Sequence, residues 1–220
     1  MYTRRLSLAS LALVFCFFSA AAAKADVIAV WNFNDANLLV DRGQGTLTTT
    51  ATNIMFLTGT NFEASTIPIG DPAGLALTIP GGPNLQNNGS VVEIHVSTLG
   101  FENIAISWAW QRNDTGFNDD VIRESFDGTT FQGFSFAGIN TNFFGGVHIS
   151  YFAGHPAGNN PFYAIRITLN GATSETGNIR FDNIVVTGTP IVPEPASMIL
   201  LSAGLAGVAA EVRRRRRTRR

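Results

Sequence analysis

An all-β fold, a two-sheet sandwich or jelly roll, is what the middle of this 220-residue chain predicts, on three observations. Apolar residues recur with period two along six stretches, the mark of strands with one buried face. Clusters of Gly, Pro, Asn and Asp separate those stretches. Between the two ends of the chain, no convincing 3.6-residue apolar period appears. Many short strands, Gly-rich turns and no helices are the pattern of two packed sheets. The chain has no internal repeat that would point to a propeller or solenoid.

The elements follow in order. Val27, Ala29, Trp31 and Phe33 alternate with Ile28, Val30, Asn32 and Asn34, which predicts a half-buried opening strand. Residues 91–98 repeat the pattern. Ile104, Ile106, Trp108 and Trp110 then alternate with Ala105, Ser107, Ala109 and Gln111, so the two tryptophans share a face with isoleucines and read as core. Residues 147–152, 163–169 and 179–187 complete the set, with turn clusters at 80–83, 87–89, 113–120, 153–160 and 170–177. At 125–131, S-F-D-G-T-T-F places Asp-Gly between short strands, a hairpin signal.

The ends differ from the middle. Ten of the fifteen basic residues are Arg4, Arg5, Lys24 and seven Arg within 213–220. Residues 26–192 carry fourteen Asp and Glu against five Arg, a formal charge of −9 without a single Lys. Nucleic acid is therefore not an expected partner, because phosphate neutralisation needs clustered cations. Gly and Pro together stay well below the roughly 25–30% of low-complexity disorder, and 17 Phe can supply a core. Cys16 is the only cysteine, so the middle has no disulfide, thiol nucleophile or thiolate metal site.

Residues 1–25 have a positive start, an apolar run from 6 to 23 and Ala23-Lys24-Ala25 before Asp26, the layout of a cleaved signal peptide. Ser7 stands where a twin-arginine signal wants a large apolar residue, which favours general secretion. The ectodomain is expected at 26–188. A linker with Val192, Pro193, Glu194 and Pro195 follows at 189–195, then a short transmembrane helix at 196–212 and a basic tail at 213–220. Its fully apolar part, 196–210, reaches about 22 Å at ~1.5 Å per residue, short of the ~30 Å hydrocarbon core. Arg213 and its neighbours set the carboxyl end on the cytoplasmic side.

V-P-E-P-A-S, a short helix rich in small residues and a terminal Arg run resemble, in that order, the PEP-CTERM sorting signal of exopolysaccharide-producing Gram-negative bacteria. The resemblance implies recognition by a membrane-embedded exosortase at Pro193, Glu194 and Pro195. It also implies an inner-membrane intermediate, removal of the tail, and transfer of the ectodomain to the cell surface or beyond. Glu211 departs from the usual purely apolar helix end. S-x-D-G-x-x-F at 125–131 and R-F-D-N-I-V-V-T-G at 180–188 resemble secreted bacterial jelly rolls of the carbohydrate-binding and lectin-like type, which bears on fold more than on function.

Chemistry is sparse. His95, His148 and His155 lie on separate segments without zinc-site spacing. G-F-S-F-A-G at 133–138 is one residue too long for a nucleophile elbow and sits in a strand context. Glu93, Glu102, Glu124 and Glu175 are free to form a glycosidase pair, which is defined by spatial separation. Oxygen ligands crowd one loop at Asn113, Asp114, Asn118, Asp119 and Asp120. A second group joins Asp182 to Asn34 or Asp35, and either could hold a structural calcium ion. Phe117, Phe143, Phe144 and Tyr151 are the loop aromatics expected to be exposed. No catalytic residue is assigned. The expected function is an exported, non-enzymatic structural or binding protein of an exopolysaccharide layer. A carbohydrate-binding module and a secreted carboxylate-pair hydrolase are the alternatives.

Overall fold

The computed structural model describes residues 24–133 and 144–191, with 204, 205, 207 and 208 beyond them. Its strands are β1 (Asp26–Trp31), β2 (Arg42–Gly43), β3 (Thr46–Thr49), β4 (Met55–Thr58), β5 (Leu75–Pro80), β6 (Val91–Val96), β7 (Phe101–Arg112), β8 (Val121–Ser125), β9 (Gly145–Ser150), β10 (Tyr163–Thr168) and β11 (Asn178–Pro190). They form two sheets, and every pairing is antiparallel.

β11 is the spine of the larger sheet. One edge pairs with β7 from Ile179↔Arg112 to Pro190↔Phe101, and β7 pairs onward with β9. The opposite edge has two partners in succession. Asn178 to Phe181 pair with β5, which carries β4, and from Ile184 onward the partner is β1, which carries β2. Where the partner changes, the strand bulges. Its register against β7 shifts between Asp182 and Val185, and Asn183 is left-handed at φ 48°. A bulge of this kind lets one strand bend to serve two neighbours. The smaller sheet has the order β3-β6-β10-β8.

Between the sheets lies one apolar core that includes Trp31, Leu77, Ile94, Ile106, Trp108, Ile165, Phe181 and Val186. Full burial of such side chains contributes about 1.5–3 kcal/mol each and is the main force closing the sandwich. Trp108 and Trp110 are core as expected, 0% and 3% exposed. β6 follows the period-two rule, with Val92, Ile94 and Val96 buried and Val91, Glu93 and His95 between them half-exposed. β1 does not. Ile28, Ala29, Val30 and Trp31 are all buried, because the strand is internal between β2 and β11 and a bulge between Val27 and Ala29 resets its alternation. β11 also continues through Pro190, two residues into the stretch read as linker.

Among the described residues no helix is long and apolar enough to cross a membrane. Of the helix expected at 196–212, only Gly204, Leu205, Gly207 and Val208 are described, and they are helical. Residues 1–23 of the expected signal peptide, the motif Val192, Pro193, Glu194 and Pro195, and the basic tail lie outside the described residues.

Candidate functional site

Successive residues of a strand point to opposite faces, so the registers of the smaller sheet sort its side chains. Leu47, Ile94, Ile165 and Ile122 turn into the core. The outer face then reads in rows across the four strands. One row is Thr46, His95, Ala164 and Ser125, and the next is Thr48, Glu93, Arg166 and Arg123. Glu93 Oε1 accepts hydrogen bonds from Arg166 Nε and lies 2.7 Å from its Nη2, while Oε2 is 3.0 Å from His95 Nε2. Burial pushes the Glu93 carboxyl up, but the hydrogen bonds and charges of His95 and Arg166 outweigh it and hold the group below its usual range. The Arg166 guanidinium lies 3.7 Å over the Phe131 ring, a cation–π contact.

Where the first row meets the turn after β8, an open cleft of about 530 Å³ is lined by Gln44, Thr46, His95, Ser97, Asp127, Thr129 and Phe162. Its walls follow from local chemistry. A Cβ on Gly45 would stand 2.8 Å from the Trp31 ring and 3.0 Å from the His95 carbonyl, so only glycine lets the chain run this close at the entry to β3. Gly128, at φ 77°, makes the turn of the S-F-D-G segment, and the chain returns to β8 through one bridge, Glu124↔Gln132. Asp127 Oδ1 fixes that turn by accepting from Ser125 Oγ and from the Thr129 and Thr130 amides at 2.9, 2.8 and 2.6 Å. Hydrogen bonds from the Thr130 and Thr129 amides hold its carboxyl far below the usual range, so it enters the cleft as a fixed anion. Asn160 Oδ1 takes the Phe162 amide at 2.7 Å while its Nδ2 donates to the carbonyls of Phe126 and Pro156, and the Phe162 ring is left 62% exposed on the rim.

A second polar group lies toward the core. Tyr151 donates to Glu124 Oε2 at 2.5 Å, Tyr163 donates to Tyr151 at 3.2 Å, and the Tyr151 ring stacks on His155 at 4.2 Å. Burial, and for Tyr151 the bond to Glu124, pushes both phenols up. These bonds tie the loop after β9 to the sandwich.

The carboxylates offered for a hydrolytic pair are dispersed. Glu93 is paired in register with Arg166 and Glu124 with the neighbouring Ile165, so the two occupy opposite faces of the smaller sheet. Glu175 accepts the Asn84 amide at 2.8 Å, and Glu102 sits on β7 opposite Thr189. His148 is exposed on β9, apart from His95 on β6 and from His155. Of the segment 133–138 only Gly133 is described.

The oxygen-rich residues are placed as follows. Asp114 and Asp119 are exposed, while Asp120 turns inward and takes the Asn170 amide at 3.3 Å. Asn113 bonds the Asn178 amide and the Thr176 carbonyl, which fixes its turn. Asp182 is buried with both oxygens accepting backbone amides, Thr60 at 2.7 Å and Asn183 at 2.8 Å. Asn34 Oδ1 accepts the Leu75 amide at 2.7 Å, and Asp35 is exposed. Among the described residues, no three His, Cys, Asp or Glu side chains group as a metal-ion site.

Burial pushes Asp120 up to about 7, partly countered by the Asn170 amide and the Arg112 charge. It does the same to Asp182, up to about 7, against the opposing Thr60 and Asn183 amides. A carboxyl raised in the folded state binds its proton more tightly there than in the unfolded chain, so its stabilising effect is full below the ordinary value of 3.8 and is lost as pH rises toward 7. Glu93 and Asp127 shift the other way and act below 4.5 and 3.8. The melting temperature is therefore expected to fall between about pH 5 and pH 8. A calorimetric series that rises across that window would contradict this assignment.

The aromatic expectation needs correction. Phe117 is 0% exposed, because the 113–120 turn folds it into the core, and Tyr151 and Phe144 are half-buried. Phe143 lies outside the described residues. Phe162 and Phe152 are the prominently exposed rings, and neither stood out in the sequence. Phe162 abuts a core tyrosine at a strand start, where spacing does not reveal which neighbour turns outward.

Residues 192–217 match the PEP-CTERM protein-sorting motif. No curated protein matches the chain. Solved structures similar to it include the CBM22-1 xylan-binding domain of Paenibacillus barcinonensis Xyn10C, at 10% identity, TM-score 0.45, and coverage of 78% of this chain and 100% of that one. Another is the K3 cleaved adhesin domain of Lys-gingipain from Porphyromonas gingivalis, at 11% identity, TM-score 0.45, and coverage of 74% and 99%. A third, the CBM22-1–GH10 modules of Clostridium thermocellum xylanase 10B complexed with xylohexaose, has 12% identity and TM-score 0.39. It is matched over 79% of this chain and 30% of its own.

Proposed function

We propose that this exported protein binds polysaccharide in the extracellular layer without catalysing its turnover, and that an exosortase processes its tail. The sorting motif at 192–217 supports the route. The observation that carries the binding reading is the open cleft with the exposed Phe162 ring on its rim and hydrogen-bonding groups of Gln44, Thr46, Ser97 and Thr129 around it. A sugar ring presents an apolar C–H face and an edge of hydroxyls. It suits an aromatic plane flanked by short polar side chains, the combination of apolar wall and few directed polar groups found in small-ligand sites. Asp127, held anionic and rigid, adds an acceptor for hydroxyl groups.

Phe162→Ala is expected to weaken glycan binding about tenfold or more, the effect of truncating an anchoring aromatic. Phe152→Ala, at a second exposed ring outside the cleft lining, is expected to leave it unchanged. Titration of full-length protein in detergent against a glycan panel is the measurement, and equal loss in both variants would defeat the cleft assignment. Release of reducing ends from any bound glycan would defeat the non-enzymatic part.

A further inference from the structure

Resting on the cleft reading above, we infer that the polysaccharide is acidic, and that its anionic substituents sit on the outer face of the smaller sheet over Arg123 and Arg166. The domain from 26 to 192 has only five Arg for fourteen acidic residues. Two of the five nevertheless face each other on the outer face of the smaller sheet, in register on adjacent strands. Like charges directly opposite in an antiparallel pair are destabilising. Glu93 answers one of them, through Arg166. Arg123 is exposed and makes no ion pair among the described residues. Phe131 holds the Arg166 guanidinium against its ring, which keeps that charge in place over the sheet.

With Arg166 answered by Glu93, the charge left without an anion is that of Arg123, and an acid group above it would be complementary. Guanidinium forks match planar carboxylates in two parallel hydrogen bonds. The Arg row lies two residues along each strand from the row of Thr46 and His95 that lines the cleft, about 7 Å at ~3.4 Å per residue. One chain can therefore reach both. Asp127 repels acid groups from the cleft end, so neutral hydroxyls belong there and the acid group belongs over the arginines.

The test titrates full-length protein in detergent with alginate, which carries carboxylates, with dextran sulfate, and with neutral dextran, at low and high salt. Arg123→Gln is expected to lower alginate affinity about fivefold at low salt, with a smaller loss at high salt, and to leave dextran binding unchanged. Arg42→Gln, the same charge change at an exposed position of β2 in the other sheet, is expected to change neither. Loss on alginate alone assigns a carboxylate substituent, and equal loss on dextran sulfate assigns an anionic group in general. Removing the like-charge contact is also expected to leave the melting temperature of Arg123→Gln equal or higher, which separates this role from a structural one. Equal losses in Arg42→Gln and Arg123→Gln would overturn the inference. So would dextran binding without alginate binding, with the cleft reading intact. Binding of no glycan at all would remove the cleft reading itself.

Discussion

Alanine at Pro193, Glu194 and Pro195 together is expected to leave export intact and to trap the full-length chain in the membrane fraction. Proline lacks an amide donor and biases the residue before it toward extended backbone. The apolar helix expected from Ala196 is then expected to find no route upstream, which would leave the motif open to a processing enzyme. Glu194 adds negative charge close to that helix start, where the dipole favours it by about 0.3–1 kcal/mol. Alanine removes all three constraints and is the best helix former, so the helix extends into the linker. The segment expected to act as signal peptide is untouched, and the seven Arg within 213–220 are expected still to resist translocation. Cell fractionation with an antibody to the ectodomain reads the result, and deletion of residues 196–220 is expected to release a soluble form. A triple-alanine protein processed and displayed like the parent would replace the sorting reading with a plain membrane anchor.

Asn183→Ala is expected to be the most damaging single change in the sandwich away from its apolar core. The residue sits in the β11 bulge at φ 48°, a conformation that asparagine tolerates and alanine resists. Its Nδ2 donates to the carbonyls of Thr60 at 2.8 Å and Phe62 at 3.0 Å. Asp182 beside it holds the Thr60 amide. The pair thus pins the chain after β4 at the place where β11 passes from β5 to β1. Removing the amide leaves two carbonyls short of a donor, and the left-handed backbone adds its own strain. The sum is about 4 kcal/mol, a large part of the ~5–15 kcal/mol that holds a domain together. For a domain of this size that lowers the melting temperature by roughly 8–16 °C. Asn183→Gly, which relieves the backbone strain but not the lost hydrogen bonds, is expected to recover about 1 kcal/mol. Melting within two degrees of the parent for the alanine variant would show that the bulge does not depend on this side chain.

The strands that could be read in advance are those whose two faces meet different surroundings. β6 is the clear case, with the core on one side and Glu93 and His95 on the other. β3 is not legible in the sequence, because Leu47 is its only apolar residue. β4 shows no alternation, because Met55, Phe56 and Leu57 are apolar in succession on a strand at the end of the sheet. β5 did carry the pattern in Leu75, Leu77 and Ile79, but it is brief and runs into the turn cluster at Pro80. Phe117 and Phe162 show the same limit for single residues. Both are loop phenylalanines, one drawn fully into the core and the other left on the rim of the cleft.

By itself the sequence determined the class of fold, the core roles of Trp108 and Trp110, and the sorting motif at 192–217. Each rests on residues close together in the chain, whose spacing is their physical meaning: period two for a strand, V-P-E-P before an apolar run and arginines for an address. Tertiary structure alone decided the rest. It set Arg123 against Arg166, separated Glu93 from Glu124 by the thickness of a sheet, and spent Asp182 on the Thr60 amide. Those outcomes depend on the register between strands tens of residues apart, where a slip of one residue sends every side chain to the other face.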